Sequence, residues 1–279
     1  MTVAPTLTDR SALALHRARA RRHPDHDGAM FLHRIARSDI EERLNEVNRS
    51  FTAPAVVTGF PELWDDFRTD AVVVPDDDLL NLQPEAHDLV IHAMGLHWAN
   101  DPVGQLIQCR RALKPDWLCL AVLPGGETLS ELRASLAEAE TLVSGGLSPR
   151  VVPMAEIRDL GALMQRAGLS LPVADSTRQV VQYRALGGLF RDLRAMGETN
   201  ALAARLHSFT SRKLFAAVEA IYAANFQTPE GHLRATFELQ FLTGWAPHES
   251  QQTPLRPGSA KSRLADALRV PEQPLPKGG

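Results

Sequence analysis

The stretch that decides the fold runs from residue 87 to residue 123 and reads HDLVIHAMGLHWANDPVGQLIQCRRALKPDWLCLAVL. An apolar run at about residues 88–93 predicts one buried strand, and the apolar run that ends the stretch predicts another. Between them, Asp101 as N-cap and Pro102 at the first helical position predict a helix over 101–115. Strand, helix and strand in this order indicate two parallel strands of one sheet.

The same alternation extends in both directions along the chain. Further strands are expected at 55–57, 70–78, 171–184 and 234–245. Further helices are expected at 10–22, 29–48, 127–143, 154–167, 186–197 and 211–226. Because the strands are mostly continuous apolar runs separated by helices, the sequence predicts an α/β fold, Rossmann-like, with a mainly parallel sheet covered on both faces.

Composition limits the classes of partner. The 279 residues are 44% hydrophobic, enough for a sizeable core, and 30 basic residues balance 33 acidic ones. This balance predicts no nucleic-acid partner, and no apolar run reaches the roughly 18 residues of a transmembrane segment. Cys109 and Cys119 form no disulfide framework and are expected to be reduced thiols in the core.

The first residues carry a strong basic bias. The segment 9–27, DRSALALHRARARRHPDHD, is rich in arginine and has few acids. Such a segment is typical either of a mitochondrial transit peptide or of a basic first helix. We expect a basic arm over 1–28, a Rossmann core over 29–185, a segment at 186–262 that completes the domain, and a partly disordered tail over 263–279.

Ligands of open α/β sheets bind at the carboxyl ends of the strands. Four such ends carry candidate residues here: Thr58-Gly59, 75–78, 92–98 and 124–128. The stretch 87–123 resembles the second half of a class I S-adenosylmethionine-dependent methyltransferase. Four more segments, 125–140, 148–169, 191–202 and 244–260, are similar to one branch, the family of mitochondria and alphaproteobacteria whose mitochondrial members assist respiratory complex I assembly.

The resemblance implies more than a fold. Mitochondrial members of that family are linked to hydroxylation of an arginine on a complex I subunit, and the class uses S-adenosylmethionine as cofactor. Family members also begin with a basic helix, which favours a helix over a transit peptide at 10–22. Bacterial cytoplasm is the expected compartment, with the mitochondrial matrix as the alternative.

The cofactor loop of the family is degenerate in this chain. The first strand of the family ends in an acid and a GCGxG-type loop, whose glycines let backbone N–H groups approach the cofactor. Here the matching segment, 56–64, reads VVTGFPELW and keeps only Gly59, with Pro61 lacking an N–H donor. About fifteen residues separate Val57 from the next strand, so a strand–helix unit and its ribose-binding acid are expected to be missing.

The resemblance places seven residues around the cofactor: Thr58, Gly59, Asp76, Asp77, His92, Met94 and His97. Asp76 stands where the family has an acid near the adenine, whereas its acidic neighbours can also be a solvated turn. His97 and Trp98 match the LHW motif of the family. A histidine in a cleft serves as a base or a ligand; the alternative is that His97 bonds the backbone and Trp98 packs on the helix over 101–112.

Two other groups complete the candidate set. The segment 125–128 either presents backbone donors to a ligand or caps the next helix, where acids favour the helix dipole. His248-Glu249 with His92 and His97 has no metal-ligand spacing, so no metal site is predicted. No residue is assigned a catalytic role.

Two functions remain open from the sequence. In one, the protein is an active S-adenosylmethionine-dependent transferase or arginine hydroxylase that modifies a protein. In the other, which the degenerate loop favours, cofactor binding is lost or altered and the protein is a pseudoenzyme that acts as an assembly factor. In that case the protein uses no cofactor, and its partner is a protein such as a complex I subunit.

Overall fold

The computed structural model describes residues 6–68 and 70–252 of the chain. The chain divides into two compact units, Met1–Pro247 and His248–Gly279, and all the elements below belong to the first. Of the second unit, 248–252 form a short turn. The expected disordered tail and the matched segment beyond residue 252 lie outside the described residues.

Helices and strands follow one another in the order that the sequence predicts. The helices are α1 (Arg10–Ala20), α2 (His26–Ala29), α3 (Phe31–Glu46), α4 (Pro102–Ala112), α5 (Ser130–Ser144), α6 (Ile157–Arg166), α7 (Leu186–Ala195) and α8 (Arg212–Phe226). The strands are β1 (Pro54–Thr58), β2 (Val72–Val74), β3 (His87–Ala93), β4 (Leu113–Pro124), β5 (Ser170–Tyr183) and β6 (Leu233–Trp245).

The strands form one six-stranded sheet in the order β2-β1-β3-β4-β6-β5. β2, β1, β3 and β4 are parallel neighbours, and β6 runs antiparallel to both β4 and β5. The predicted α/β fold with a mainly parallel sheet is therefore confirmed. Because every residue of β1 and β3 is buried, these strands lie at the centre of the molecule.

The two faces of the sheet carry separate cores. Val56 and Ile91 face a core shared with α3, α5, α7 and α8, whereas Val57 and Val90 face a core shared with α4 and α6. Side chains alternate between faces along a strand, so a continuous apolar run buries both. Cys109 and Cys119 are buried free thiols in the second core, in agreement with the prediction.

The connection from β1 to β2 spans 59–71 and is short for a crossover between neighbouring parallel strands. Its described residues, 59–68 and 70–71, form one 3-10 turn, Pro61–Leu63, and no α-helix. Parallel strands are usually joined by a helix that covers the sheet. Here Phe60 and Trp64, each 1% exposed, cover it instead and join the core beside α3.

Several helix boundaries differ from the sequence prediction, and the backbone explains two of them. α4 ends at Ala112 rather than near residue 115, and Leu113 already pairs with His87 in the sheet. The cause is Pro115, which disfavours helical backbone in the residue before it. α5 begins at Ser130 rather than 127, because Leu129 adopts a left-handed conformation that a helix cannot include.

Candidate functional site

The carboxyl ends of β1, β2 and β3 lie side by side, and the side chain of Arg17 from α1 reaches them. The Arg17 guanidinium donates two hydrogen bonds to the Asp76 carboxylate, from Nη1 to Oδ1 at 2.6 Å and from Nη2 to Oδ2 at 2.8 Å. The Arg17 side chain is 8% exposed and that of Asp76 is 2% exposed. This bidentate pair, which we call the buried ion pair, joins the first helix to the edge of the sheet.

Two glycines make room for the buried ion pair. A Cβ atom on Gly59 would lie 2.3 Å from Cζ of Arg17, and one on Gly95 would lie 2.5 Å from Oδ2 of Asp76. Non-bonded heavy atoms in proteins do not approach a Cβ atom this closely. The space that these glycines leave is therefore filled by side chains of the protein itself.

Further arginines of the same helix surround the pair. Arg10 donates from Nη2 to the backbone oxygen of Asp76 at 2.6 Å and lies 3.4 Å from the Asp77 carboxylate. Arg21, just after α1, donates to the carbonyl of Gly59 at 2.7 Å. The basic first segment of the sequence thus covers the ends of β1 and β2.

The charge of Asp76 is held by these arginines. Burial raises the pKa of the Asp76 carboxyl, but the hydrogen bonds and charge of Arg17 and the charge of Arg10 outweigh it. The net result is a pKa below the ordinary value, so Asp76 is ionised at neutral pH. Because this carboxylate is 2% exposed and paired with Arg17, it is not accessible to an incoming ligand in this conformation.

Three other predicted cofactor residues are engaged or exposed. The Thr58 hydroxyl accepts from the backbone N–H of Phe60 at 3.2 Å. The side chain of Asp77 is 68% exposed, as expected for a solvated turn. His92 is fully buried and its Nε2 lies 2.6 Å from Oε1 of Gln105. Burial lowers the pKa of His92, against the opposing hydrogen bond of Gln105, so its ring is neutral at neutral pH.

His97 and Trp98 share an acceptor that the sequence did not indicate. Nε2 of His97 lies 3.1 Å from Oε2 of Glu198, and Nε1 of Trp98 donates to the same oxygen at 2.9 Å. The alternative expectation was that His97 bonds the backbone, but its partner is the Glu198 side chain. Trp98 packs with Leu13 and Val152. Burial raises the pKa of Glu198, but the charge and hydrogen bond of His97 outweigh it and the net pKa is lowered.

One further buried histidine, His33, was not identified from the sequence. His33 on α3 is 2% exposed, and neither of its ring nitrogens has a hydrogen-bond partner. Its ring packs edge-on against Phe60 at 5.2 Å. Burial lowers the pKa of His33 to about 4, so the ring is neutral at neutral pH. In the sequence, His33 is one polar residue on the apolar face of α3, and nothing in the helical pattern marks it as a site residue.

A cavity of about 250 Å³ lies over the carboxyl ends of β3 and β4. His33 and Glu198 both line it. So do Met94 and Leu129, two non-glycine residues with positive φ, at 52° and 54°. Left-handed backbone costs about 1–2 kcal/mol at such residues, and such conformations cluster at functional sites. Met94 is the predicted site residue that faces this cavity.

The segment 125–128 is tied to the neighbouring strand. The N–H of Gly125 donates to the Glu238 carbonyl, and Glu127 N–H donates to the Glu238 carboxylate, both at 2.9 Å. Glu131, in the first turn of α5, accepts from the Thr236 hydroxyl at 2.6 Å. These groups form hydrogen bonds with β6 of the same protein, so the geometry matches neither a ligand cradle nor an ordinary helix cap.

Metal and membrane features are lacking in the part of the chain that the structure describes. Among these residues, no three His, Cys, Asp or Glu side chains are grouped so as to hold a metal ion. Nor does any helix there have the length and apolar character needed to cross a bilayer. His248 bonds Ser250 within its own unit.

Comparison with known proteins identifies relatives. No protein-family model matches the chain. The Danio rerio protein named arginine-hydroxylase NDUFAF5, mitochondrial, is 36% identical over 198 residues, which cover 71% of this chain and 61% of that protein. The Homo sapiens protein of the same name is 37% identical over 198 residues, covering 71% and 57%. The chain therefore spans about three fifths of the length of these curated relatives.

Methyltransferases are also among the relatives. A Rickettsia prowazekii protein named "Putative methyltransferase" is 31% identical over 173 residues, which cover 62% of this chain and 76% of that protein. The crystal structure of a methyltransferase-titled protein from Bacillus halodurans aligns with a TM-score of 0.49 at 12% identity, covering 76% of this chain and 100% of that one. By this Rickettsia relative, the chain belongs to a methyltransferase-like family.

Proposed function

We propose that this chain is a methyltransferase-like protein that has lost binding of S-adenosylmethionine at the family's site and acts as a protein-binding factor in complex I assembly. The buried ion pair carries the first part. Arg17 brings a positive charge beside Gly59, where the family's cofactor, itself a sulfonium cation, would lie. The guanidinium and its Asp76 partner already fill this space, so a cofactor could enter it only by displacing them.

The residues at this end of the sheet do not fit the cofactor in the family's position. A Cβ on Gly59 would already contact Arg17 at 2.3 Å, and Pro61 removes a backbone donor. A cofactor there would have to displace Arg17 and leave the buried Asp76 without its partner. Breaking a buried pair costs about 3–5 kcal/mol, which lowers affinity by roughly a hundredfold or more.

The second part rests on an exposed apolar surface. Leu147, Leu206 and Phe209 line one groove between the end of α5 and the start of α8. They are 71%, 56% and 104% exposed. Grouped apolar side chains of this kind are typical of protein interaction sites. The family resemblance supplies the context, respiratory complex I, and bacterial cytoplasm is the compartment we propose.

Affinity capture from the native cell tests the protein-binding role. We expect tagged wild-type protein to retain a complex I subunit, identified by quantitative mass spectrometry. The double variant Leu206→Ser/Phe209→Ser should lose it. Leu79→Ser, which removes another exposed leucine (82% exposed), is the matched control. Equal retention by the double variant would exclude this surface, and no subunit with the wild type would exclude the role.

A second candidate is an active transferase or arginine hydroxylase that modifies a protein. The observation that favours it is the cavity that His33 and Glu198 line, next to the family's cofactor position. Methyl-labelled S-adenosylmethionine, incubated with the protein and native-cell extract, tests the transferase form. Label transferred to a protein by the wild type but not by His33→Leu would support this candidate over the first.

A further inference from the structure

The cavity over β3 and β4 has properties that the proposed assembly role does not use. Its walls are largely aliphatic and aromatic, and they include Leu132, Leu136, Phe190 and Phe237. At about 250 Å³, it exceeds the ~150 Å³ that suffices for a dry apolar cavity to bind benzene. Its size thus suits a substituted aromatic or alicyclic ring.

His33 is the polar feature of this cavity that lacks a partner. It is 2% exposed, and its Nδ1 and Nε2 atoms make no hydrogen bond. Buried polar atoms without partners are rare, and each costs about 1–3 kcal/mol. Because burial lowers the pKa of His33 to about 4, the neutral ring offers one N–H donor and one acceptor.

The charged groups around the cavity are already occupied or lie in water. One carboxylate oxygen of Glu198 accepts from both His97 and Trp98. Arg150 pairs with Glu140 at 2.6 Å, and Arg194, which reaches the rim from α7, is exposed. A charged ligand group at the inner end would lose its hydration without gaining a free counter-ion.

We propose that this cavity binds an uncharged, mainly apolar small molecule whose single hydroxyl or carbonyl group hydrogen-bonds to His33. The apolar walls supply affinity through burial. The unpaired histidine supplies selectivity, since it gains a hydrogen bond only from a ligand with a polar group at that point. The left-handed backbone of Met94 and Leu129, both in the wall, is a conformational cost retained at the same place.

NMR titration with matched probes tests this site in the intact protein. The probes are para-cresol, para-xylene and para-toluate, which present a hydroxyl, a methyl group and a carboxylate on one ring. We expect para-cresol to bind about five- to tenfold more tightly than para-xylene, the value of one hydrogen bond. Para-toluate should bind more weakly than either. In His33→Leu the preference for para-cresol should disappear, because its hydroxyl group then has no partner, whereas the exposed-histidine control His207→Leu should keep the preference.

A second readout in the wild type covers the case in which His33→Leu fails to fold. Para-cresol should shift the ¹⁵N resonances of the His33 ring, and para-xylene should not. Equal affinity for the two neutral probes in the wild type would overturn the proposal. So would unshifted ring nitrogens at saturation, tighter binding of para-toluate, or no binding of any probe to folded protein.

Discussion

Two halves of the same sheet edge have opposite properties. At the ends of β1 and β2, a bidentate pair between Arg17 and Asp76 fills the space beside Gly59 and Gly95. At the ends of β3 and β4, a cavity of about 250 Å³ remains, with an unpaired buried histidine in its wall. The two halves thus differ in whether the protein's own side chains fill the space: Arg17 of the first helix fills one half, and the other half stays open.

The largest expected effect on stability comes from breaking the buried ion pair at the ends of β1 and β2. Arg17→Ala leaves Asp76, 2% exposed, as a buried charge without its bidentate partner, and should lower the free energy of unfolding by about 3–5 kcal/mol. Arg21→Ala removes an exposed pair with Glu62 (39% and 42% exposed) and a hydrogen bond to the Gly59 carbonyl, and should cost about 1–2 kcal/mol. Urea denaturation measures both. Equal losses for the two variants would mean that the buried ion pair is not a structural lock.

A slightly smaller effect on stability comes from His33, in the wall of the cavity, and depends on pH. The pKa of His33 falls from 6.5 to about 4 on folding, so the unfolded chain binds a proton that the folded chain does not. The corresponding stability is complete above pH 6.5 and is lost as pH falls towards 4, by about 3 kcal/mol. His33→Leu should remove this part of the pH dependence. Wild-type and variant stability curves that stay parallel between pH 4 and 7 would contradict it.

The close approach at Gly59 gives a third and smaller test. The Cβ of Gly59→Ala would meet the pinned guanidinium of Arg17 at 2.3 Å, so the variant should lose about 1–3 kcal/mol through overpacking. Gly146→Ala, where nothing lies within 4 Å, should stay within about 0.5 kcal/mol of wild type. If the clash is real, the Gly59→Ala penalty should shrink in an Arg17→Ala background; a full penalty there would assign it to another cause.

The smallest effect on stability should come from filling the cavity. Leu136→Phe adds volume to the wall formed by α5 and should change the free energy of unfolding by less than about 1 kcal/mol. Its larger consequence is for ligands, since para-cresol should lose affinity. Unchanged para-cresol binding, together with an unchanged fold by NMR, would place the probe elsewhere on the molecule.

The elements that local patterns encode were predictable from the sequence. The strand–helix–strand unit around α4 follows from apolar runs and from Asp101, whose carboxylate accepts from the Gly104 N–H at 2.8 Å as an N-cap. The short β1–β2 crossover follows from the spacing of apolar runs. The proximity of Gly59 and Asp76 follows from the rule that parallel strands bring their carboxyl ends together.

The pairings that define the two halves were not predictable. Arg17 and Asp76 are 59 residues apart, and His97 and Glu198 are 101 residues apart. Hydrophobic periodicity carries no information about which charged residues meet across such separations. Arg17 looks like any arginine of a basic helix, and Asp76 looks like one of three acids in a turn. Only the packing of α1 across the sheet edge distinguishes them from solvated charges.

The central claim is that the first helix occupies the place of the cofactor. Calorimetric titration of the folded wild-type protein with S-adenosylmethionine and S-adenosylhomocysteine tests it most directly, with mass spectrometry of the same preparation for co-purified cofactor. The account predicts no co-purified cofactor and no saturable binding up to about millimolar concentration, the loss expected when a buried pair must first be broken. Micromolar affinity for either compound would contradict it.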